Sequence, residues 1–359
     1  MLAKSTTAIA ILWTIAGMAA ADTRLDMAIG GQTLTESKSG RTEWRYQWPS
    51  VYFESRFKGA DVTLDFDDPG NTFNILIDSK KVAQLDRPGT RRITLHDLGA
   101  GAHTIRLEKR SETQYAIGAF RGFFVPSKAN ALPAPVYARA IEVIGDSATV
   151  GYGNTSAFTK CTPEEIFATT DSQQGPVVLA AKHFGAAYRI NAFSGLGMVR
   201  NYDGREHPKY HMPMLYPRAV FDDARTDSSP WAPQIIAIAI GGNDFSTDLH
   251  DGEPWKTRSD LLADYTETYV RFVKALRQKA PKAFLLIVGP SPDRKEYADA
   301  VTGVFDALVS GGETRIDHLT LPTTDNTGCN GHPNTRDDAK VAQMYIDYIE
   351  SHPDLWQGR

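Results

Sequence analysis

The sequence predicts an α/β protein of two domains, in which a small β-sandwich precedes a three-layer α/β/α domain. Three observations support this prediction. Apolar and polar residues alternate over 22–126, a proline-containing segment with little hydrophobic pattern spans 127–137, and strand-like runs alternate with helical patterns over 138–359. A chain of 359 residues is also long enough for two domains.

The first 21 residues are predicted to be a signal peptide rather than part of the fold. Lys4 supplies a positive charge, residues 6–17 form an apolar run, and the alanines at 19–21 provide a small-residue cleavage site. The apolar run is too short to span a bilayer, which requires about 20 residues. We therefore expect a secreted or periplasmic protein, cleaved near Ala21 and not stably inserted in a membrane. An uncleaved N-terminal anchor is the alternative.

The β-sandwich is predicted from a hydrophobic period of two. Val62, Leu64 and Phe66 alternate with polar residues, and three later runs repeat the pattern. Turn sequences such as Asp68-Pro69-Gly70 separate the runs, and no useful helical period interrupts them. Short strands at this spacing indicate a sandwich of the jelly-roll type.

The second domain is predicted from strands that alternate with helices. The predicted strands span 140–144, 187–191, 234–240, 283–288 and 316–319, and the predicted helices span 176–184, 259–279, 295–309 and 335–351. The run at 234–240 is almost uninterrupted in its apolar character, as expected of a strand buried on both faces of a parallel sheet.

The composition excludes several classes of protein. With 42% hydrophobic and 23% charged residues, the chain is an ordinary globular protein. The 39 Lys and Arg residues against 43 Asp and Glu give a net charge of −4, and no basic stripe is present, so nucleic acid is not an expected partner. Two cysteines are too few for a disulfide scaffold or a Cys-rich zinc site.

A polar, glycine-containing segment follows four of the predicted strands. These segments are Gly145-Asp146-Ser147, Ser194-Gly195-Leu196-Gly197, Gly241-Gly242-Asn243-Asp244 and Gly328-Cys329-Asn330-Gly331-His332-Pro333. In open parallel sheets the loops at the carboxyl ends of the strands line the ligand crevice. We therefore expect all four segments to meet at one edge of the sheet.

The residue types in these segments indicate acyl transfer. Ser147 can be a nucleophile if a base accepts its proton, and His332 is the one histidine of the nine that we expect in a loop at this edge. Acyl transfer also creates an oxyanion, which requires donors already in place. The backbone N–H groups of Ser147 and Gly195 and the side-chain amide of Asn243 are the candidates.

These segments resemble the four blocks of the SGNH hydrolase superfamily. More narrowly, residues 141–147, the sequence Gly151-Tyr152-Gly153-Asn154, residues 191–202 and the preceding β-domain are similar to carbohydrate esterase family 2. The resemblance implies a flavodoxin-like hydrolase domain that removes acetyl groups from plant polysaccharides such as xylan without a metal or other cofactor. It also implies Ser147 as nucleophile, His332 as base, and Gly195 and Asn243 as oxyanion donors. We expect a monomer whose partner is an acetylated polysaccharide or oligosaccharide.

One departure from the superfamily pattern concerns the group that orients the histidine. Most SGNH enzymes have an aspartate two or three residues before it, where this chain has Asn330 and Cys329. The sequence therefore predicts a Ser-His dyad with a backbone carbonyl in the orienting role, or a triad completed by an acid from elsewhere. Asp146 and Asn330 are possible supporting residues, and a degraded, inactive site is the alternative.

Cys161 and Cys329 are predicted to form a disulfide bond. An exported chain with two cysteines favours a bridge, and both residues belong to segments at the same sheet edge. Such a bridge would tie the histidine loop to the nucleophile side and restrict movement of the imidazole.

The sequence also argues against several other motifs. Thr149 occupies the second glycine position of G-x-S-x-G, which argues against the α/β-hydrolase fold, and the common zinc, P-loop and dinucleotide motifs are absent. His207 and His211 have the spacing of helical metal ligands, but Pro208 and Pro213 break such a helix. The acidic group at 65–68 is interpreted as a solvated strand edge and turn rather than a calcium site. A lipase or thioesterase and a non-catalytic carbohydrate-binding protein remain the alternative functions.

Overall fold

The N-terminal part of the chain forms two antiparallel sheets that pack face to face. The computed structural model describes residues 22–357 except 39, 113, 208–209 and 228–229, so the predicted signal peptide lies outside the described residues. The strands are β1 (Thr23–Arg24), β2 (Ala28–Gly30), β3 (Leu34–Lys38), β4 (Arg41–Tyr46), β5 (Tyr52–Lys58), β6 (Val62–Asp68), β7 (Thr72–Ile77), β8 (Lys80–Asp86), β9 (Gly89–Leu95), β10 (Ala102–Lys109), β11 (Gly118–Val125) and β12 (Ala131–Leu132). One sheet has the order β3-β4-β11-β6-β9 with β1 on β11, and the other has the order β12-β5-β10-β7-β8 with β2 on β5.

Aromatic side chains fill the space between the two sheets. Phe53 and Phe120 lie with ring centroids 4.8 Å apart across the sandwich, and Phe66 and Phe73 lie 5.7 Å apart. These rings are buried, as are the alternating apolar residues that predicted the strands. Fully burying each such side chain contributes about 1.5–3 kcal/mol.

Two details of this region differ from the sequence predictions. Part of the predicted linker forms β12, which pairs with β5 and extends the sheet at its edge. The acidic group is not a solvated edge, because Asp68 is fully buried and accepts hydrogen bonds from Tyr46 Oη at 2.8 Å and from the backbone and side chain of Asn71. That prediction was wrong because alternation identifies only the strand residues that face the core. Asp68 is buried for a different reason, since it lies at the turn that ends β6 and hydrogen bonds there to Tyr46 and Asn71.

A five-stranded parallel sheet forms the centre of the second part of the chain. Its strands are β13 (Ala140–Gly145), β14 (Ala187–Ala192), β15 (Ile235–Ala239), β16 (Phe284–Gly289) and β17 (Ile316–Thr320), in the order β14-β13-β15-β16-β17. The helices are α1 (Ser147–Val150), α2 (Pro163–Thr169), α3 (Pro176–His183), α4 (Met212–Leu215), α5 (Arg258–Lys279), α6 (Lys295–Ser310) and α7 (Thr335–Ser351).

Helices cover both faces of this sheet. Ile144, Ile238 and Ile287 pack in a core that includes α5 and α6, whereas their chain neighbours Val143 and Ala237 pack in a core that includes α3 and α7. Successive residues of a strand point to opposite faces, which explains why these strands are apolar throughout. The predicted three-layer α/β/α architecture after a β-sandwich is thus confirmed. None of the helices in the described part of the chain combines the length and apolar character needed to cross a bilayer.

The sandwich contacts the α/β domain through buried polar groups. Arg110, just after β10, pairs with Asp171 at 3.1 Å. The backbone N–H and hydroxyl of Ser50 hydrogen bond to Ser172 at 3.1 and 3.0 Å. Buried polar groups require partners of fixed geometry, so these contacts hold the two domains in a defined relation.

Candidate active site

The loops that follow the parallel strands open into a cavity of about 900 Å³. Ser147, Gly195, Asn243 and His332 all line this cavity, so the structure brings together the side chains and loops that the strand-end rule predicted. The most distant pair in sequence, Ser147 and His332, is separated by 185 residues.

Ser147 is the first residue of α1, and one residue, Asp146, separates it from the end of β13. Asp146 caps this helix, because its side chain accepts a hydrogen bond from the Ala148 N–H at 3.2 Å. Gly151 adopts a left-handed conformation with φ of 74° and ends the helix after one turn. The Ser147 hydroxyl therefore lies at the sheet edge, where its Oγ is 2.9 Å from His332 Nε2.

His332 is held between a hydroxyl and a backbone carbonyl. Its Nδ1 lies 3.0 Å from the carbonyl oxygen of Cys329, which can only accept a hydrogen bond. This contact assigns the proton to Nδ1 and leaves Nε2 free to accept the Ser147 proton. Among the described residues, neither the side chain of Asp146 nor that of Asn330 hydrogen bonds to the ring, and a backbone carbonyl occupies the position of the orienting group.

Burial and a neighbouring aromatic ring set the environment of His332. The Tyr152 ring packs against the imidazole at an interplanar angle of 37° with centroids 4.3 Å apart, and Asn330 Nδ2 donates to the Tyr152 hydroxyl at 3.3 Å. Burial lowers the pKa of His332 below its ordinary value of 6.5, while the carbonyls of Cys329 and Asn330 oppose this shift. A lowered pKa favours the neutral imidazole, the form that a general base requires.

The predicted disulfide between Cys161 and Cys329 is present. It joins the excursion after α1 to the residue whose carbonyl orients His332. Gly153 allows the close approach of this loop, because a Cβ at that position would lie 2.3 Å from the Cβ of Cys329. The bridge and the histidine contact thus act on the same residue.

Replacing Cys329 with serine is expected to lower both the free energy of unfolding and kcat. The bridge closes a loop of 168 residues, which corresponds to at most about 5 kcal/mol in the chain-entropy model. Without it the Cys329 carbonyl is held less firmly, so kcat falls several-fold. Cys161→Ser, which breaks the same bond from the other side, should reproduce both effects. Loss of stability with unchanged kcat in both variants would show that the bridge is a structural staple alone.

Some backbone N–H groups in the cavity have no hydrogen-bond acceptor among the described residues, and two of them are predicted oxyanion donors. These two belong to Ser147 and Gly195, and the latter has φ of 82°. A side chain at position 195 would be strained, and its Cβ would lie 2.4 Å from Glu206 Oε2. Asn243 adds a side-chain amide whose Nδ2 donates one hydrogen bond to the Leu196 carbonyl at 2.8 Å. Its second N–H makes only a long hydrogen bond, 3.4 Å, to Asp146 Oδ2 and can turn to a closer acceptor. These groups can stabilise negative charge near Ser147 Oγ.

The loops carrying Gly195 and Asn243 are joined by a buried carboxylate. Asp244 accepts hydrogen bonds from the backbone N–H groups of Met198, Val199 and Arg200 at 2.8–2.9 Å. Burial raises the pKa of Asp244 to about 7, and these three donors oppose the shift. The contact fixes the position of one loop relative to the other.

Several residues of the cavity were not identified as functional from the sequence. They include Gln114, Tyr152, His207 and Arg294. The expectation that His332 is the one histidine at this edge is therefore wrong, because the half-buried His207 also lines the cavity and its ring lies 4.6 Å from that of Phe193. Its position depends on a left-handed backbone at residue 207 (φ of 45°), which periodicity does not reveal. In the described part of the chain, His, Cys, Asp and Glu form no group of three or more suited to hold a metal.

Both domains match families of known proteins. Residues 37–135 match the carbohydrate esterase 2 N-terminal family, and residues 141–344 match the GDSL-like lipase/acylhydrolase family. A protein of Cellvibrio japonicus (strain Ueda107), named acetylxylan esterase / glucomannan deacetylase, is 41% identical over 334 residues, which cover 92% of each chain.

Solved structures show the same arrangement. A carbohydrate esterase described as having divergent catalytic and non-catalytic binding functions in its active site matches with a TM-score of 0.87 at 39% identity, over 93% of this chain and 100% of that one. A family two carbohydrate esterase from Clostridium thermocellum in complex with cellohexaose matches with a TM-score of 0.77 at 23% identity, over 92% of this chain and 100% of that one. At the latter identity the likeness shows the fold alone.

Proposed function

Because the chain belongs to carbohydrate esterase family 2, we propose that it is a secreted serine esterase that removes O-acetyl groups from plant cell-wall polysaccharides such as xylan. The observation that carries this proposal is the 2.9 Å contact between Ser147 Oγ and His332 Nε2, with Nδ1 held by the Cys329 carbonyl. The similarity to the acetylxylan esterase / glucomannan deacetylase supports acetyl as the acyl group that is removed.

The reaction follows from the positions of these groups. His332 Nε2 accepts the proton of the Ser147 hydroxyl as Oγ attacks the acetyl carbonyl carbon. The carbonyl oxygen becomes an oxyanion that the N–H groups of Ser147 and Gly195 and the Asn243 amide stabilise. The intermediate then expels the sugar oxygen, which takes the proton from His332, and leaves an acetyl group on Ser147.

The second half of the reaction repeats the first with water as the nucleophile. His332 Nε2 accepts a proton from water as the water oxygen attacks the acetyl carbonyl. Collapse of the second intermediate releases acetic acid and returns the proton to Ser147 Oγ. The Cys329 carbonyl stabilises the imidazolium through a hydrogen bond, but less strongly than a carboxylate would, because a neutral acceptor makes a weaker bond to a charged donor.

Release of acetate from acetylated xylan and acetylated glucomannan tests this proposal. We expect both substrates to be deacetylated, and we expect p-nitrophenyl acetate to be hydrolysed faster than p-nitrophenyl octanoate. Faster hydrolysis of the octanoate would instead indicate a lipase or thioesterase. Binding of the polysaccharide without release of acetate or p-nitrophenol would indicate a non-catalytic binding protein.

The pH dependence of kcat/KM is expected to reflect the lowered pKa of His332. A general base acts when it is neutral, so a lowered pKa extends activity to lower pH. The acid limb should therefore have its midpoint below 6.5, the ordinary value for histidine. Tyr152→Ala should move this midpoint upward, because removal of the ring admits water to the imidazole. A midpoint at or above 6.5 in the parent enzyme would contradict this assignment.

A further inference from the structure

A carboxylate of the β-sandwich domain contacts a loop that lines the active site of the α/β domain. Glu112 lies beyond the end of β10 and is fully buried. Its Oε1 accepts a hydrogen bond from the backbone N–H of Ser194 at 2.7 Å. Ser194 lies directly before Gly195, the residue whose free N–H belongs to the proposed oxyanion site.

We propose that Glu112 is a positioning residue for catalysis, acting by holding the Ser194–Gly195 peptide so that the Gly195 N–H faces the reacting carbonyl. The proposal rests on the function proposed above, which makes this N–H an oxyanion donor. It gives the β-sandwich a part in the chemistry, in addition to any contact with substrate.

The geometry of the peptide unit explains how the effect is transmitted. The Ser194 carbonyl and the Gly195 N–H belong to one planar trans peptide and point in opposite directions. Glu112 holds residue 194 by accepting a hydrogen bond from its N–H. On the other side, the His207 imidazole hydrogen bonds to the backbone carbonyl of Ser194. With residue 194 held at both ends, the direction of the Gly195 N–H is fixed as well. Gly195 has no side chain that could provide this restraint itself.

A buried lysine holds the segment of backbone that carries Glu112. Lys109, at the end of β10, is fully buried, and its Nζ lies 3.0–3.2 Å from the backbone carbonyl oxygens of residues 47, 48, 111 and 112, among which it shares its three N–H donors. The segment that carries Glu112 is thereby fixed to the sandwich. Burial raises the pKa of Glu112, whereas the Ser194 contacts and the Lys109 charge lower it.

If Glu112 had only a structural role in joining the two domains, its replacement would have a different outcome from that expected of a positioning residue. If Glu112 only joins the domains, its loss lowers the free energy of unfolding and the fraction of active molecules, but each active molecule keeps its kcat. If Glu112 positions the oxyanion donor, kcat per active site falls while KM changes little, because the oxyanion exists only after the substrate has bound.

The test compares Glu112→Ala and Glu112→Gln with the parent enzyme, using a p-nitrophenyl phosphonate to titrate the nucleophile and p-nitrophenyl acetate as substrate. We expect Glu112→Ala to lose at least tenfold in kcat per titrated site, with KM within about threefold. Glu112→Gln keeps an oxygen acceptor for the Ser194 N–H and should restore kcat to within about fivefold. A kcat per titrated site within twofold of the parent in Glu112→Ala would overturn the proposal.

Glu164→Gln is the matched control. Glu164 of α2 pairs with Arg87 of the sandwich at 3.2 Å, so it also joins the two domains. It lies at the surface, however, and its carboxylate accepts hydrogen bonds from Arg87 rather than from a loop of the cavity. Its kcat should match that of the parent enzyme, and a loss equal to that of Glu112→Ala would overturn the proposal.

Two further outcomes are distinguished. If Glu112→Ala does not fold, Glu112→Asp replaces it in the test, because it keeps the charge but shortens the side chain by one methylene. An unchanged kcat in Glu112→Asp would also overturn the proposal. Failure of the phosphonate to label the parent enzyme would reject the nucleophile itself, and with it the proposed function.

Discussion

Replacing Ser147 with alanine is expected to lower kcat for acetyl ester hydrolysis by at least three orders of magnitude. The attacking oxygen must lie within hydrogen-bond reach of His332 Nε2, and among the described residues Ser147 Oγ supplies the hydroxyl there, at 2.9 Å. His332→Ala should be comparably damaging, since the two residues act as a unit. Initial rates with p-nitrophenyl acetate, together with thermal unfolding of each variant, provide the measurement.

Surface residues of the same types provide the controls. Ser351, at the end of α7, and His183, which pairs with Glu350 at the surface, lie outside the cavity. Ser351→Ala and His183→Ala should retain the parent kcat. More than a tenth of the parent activity in Ser147→Ala, with the fold intact, would refute the assignment of the nucleophile.

Asn243→Ala is expected to lower kcat about 10²–10³-fold, with a much smaller change in KM. The Leu196 carbonyl holds the Asn243 amide at 2.8 Å, so the donor is in place before the reaction begins. Because the negative charge develops only in the transition state, loss of this donor affects the chemical step rather than substrate binding.

The separation of kcat and KM decides the role of Asn243. A normal kcat with a raised KM would make it a substrate-positioning residue instead. The backbone of the loop should remain in place in the variant, since the Asn243 carbonyl still accepts the hydrogen bond from Ser246 Oγ, at 2.8 Å in the parent. Thermal unfolding within a few degrees of the parent would confirm that the loop is intact.

The layered architecture could be predicted from the sequence because each of its signals is local. Strands such as β15 are apolar on both faces, and long helices such as α5 and α7 show a clear helical period. The rule that loops at the carboxyl ends of parallel strands share one edge then brings Ser147 and His332 together without any knowledge of side-chain positions. The unpredicted helices α1, α2 and α4 are only four to seven residues long, too short for a recognisable period.

The remaining features depend on tertiary contacts that no local pattern encodes. Glu112 and Lys109 are charged residues of a kind usually found at the surface, yet both are fully buried because polar partners surround them. The contact between the Tyr152 and His332 rings joins loops about 180 residues apart. The orienting carbonyl of Cys329 belongs to the backbone, which every residue has, so the type of residue 329 gives no sign of this role.

The order in which the chain is synthesised has a consequence for when activity can begin. A ribosome completes the segment that carries Ser147 long before it adds His332, which lies 185 residues later. The histidine loop also precedes α7, the last long helix, whose buried face packs against α3. With Ser147 and His332 in their proposed roles, a nascent chain carries a nucleophile without its base, and hydrolysis starts only after translation of the C-terminal helix. In an exported chain the bond between Cys161 and Cys329 would form later still, in an oxidising compartment, so that full activity would follow export rather than precede it.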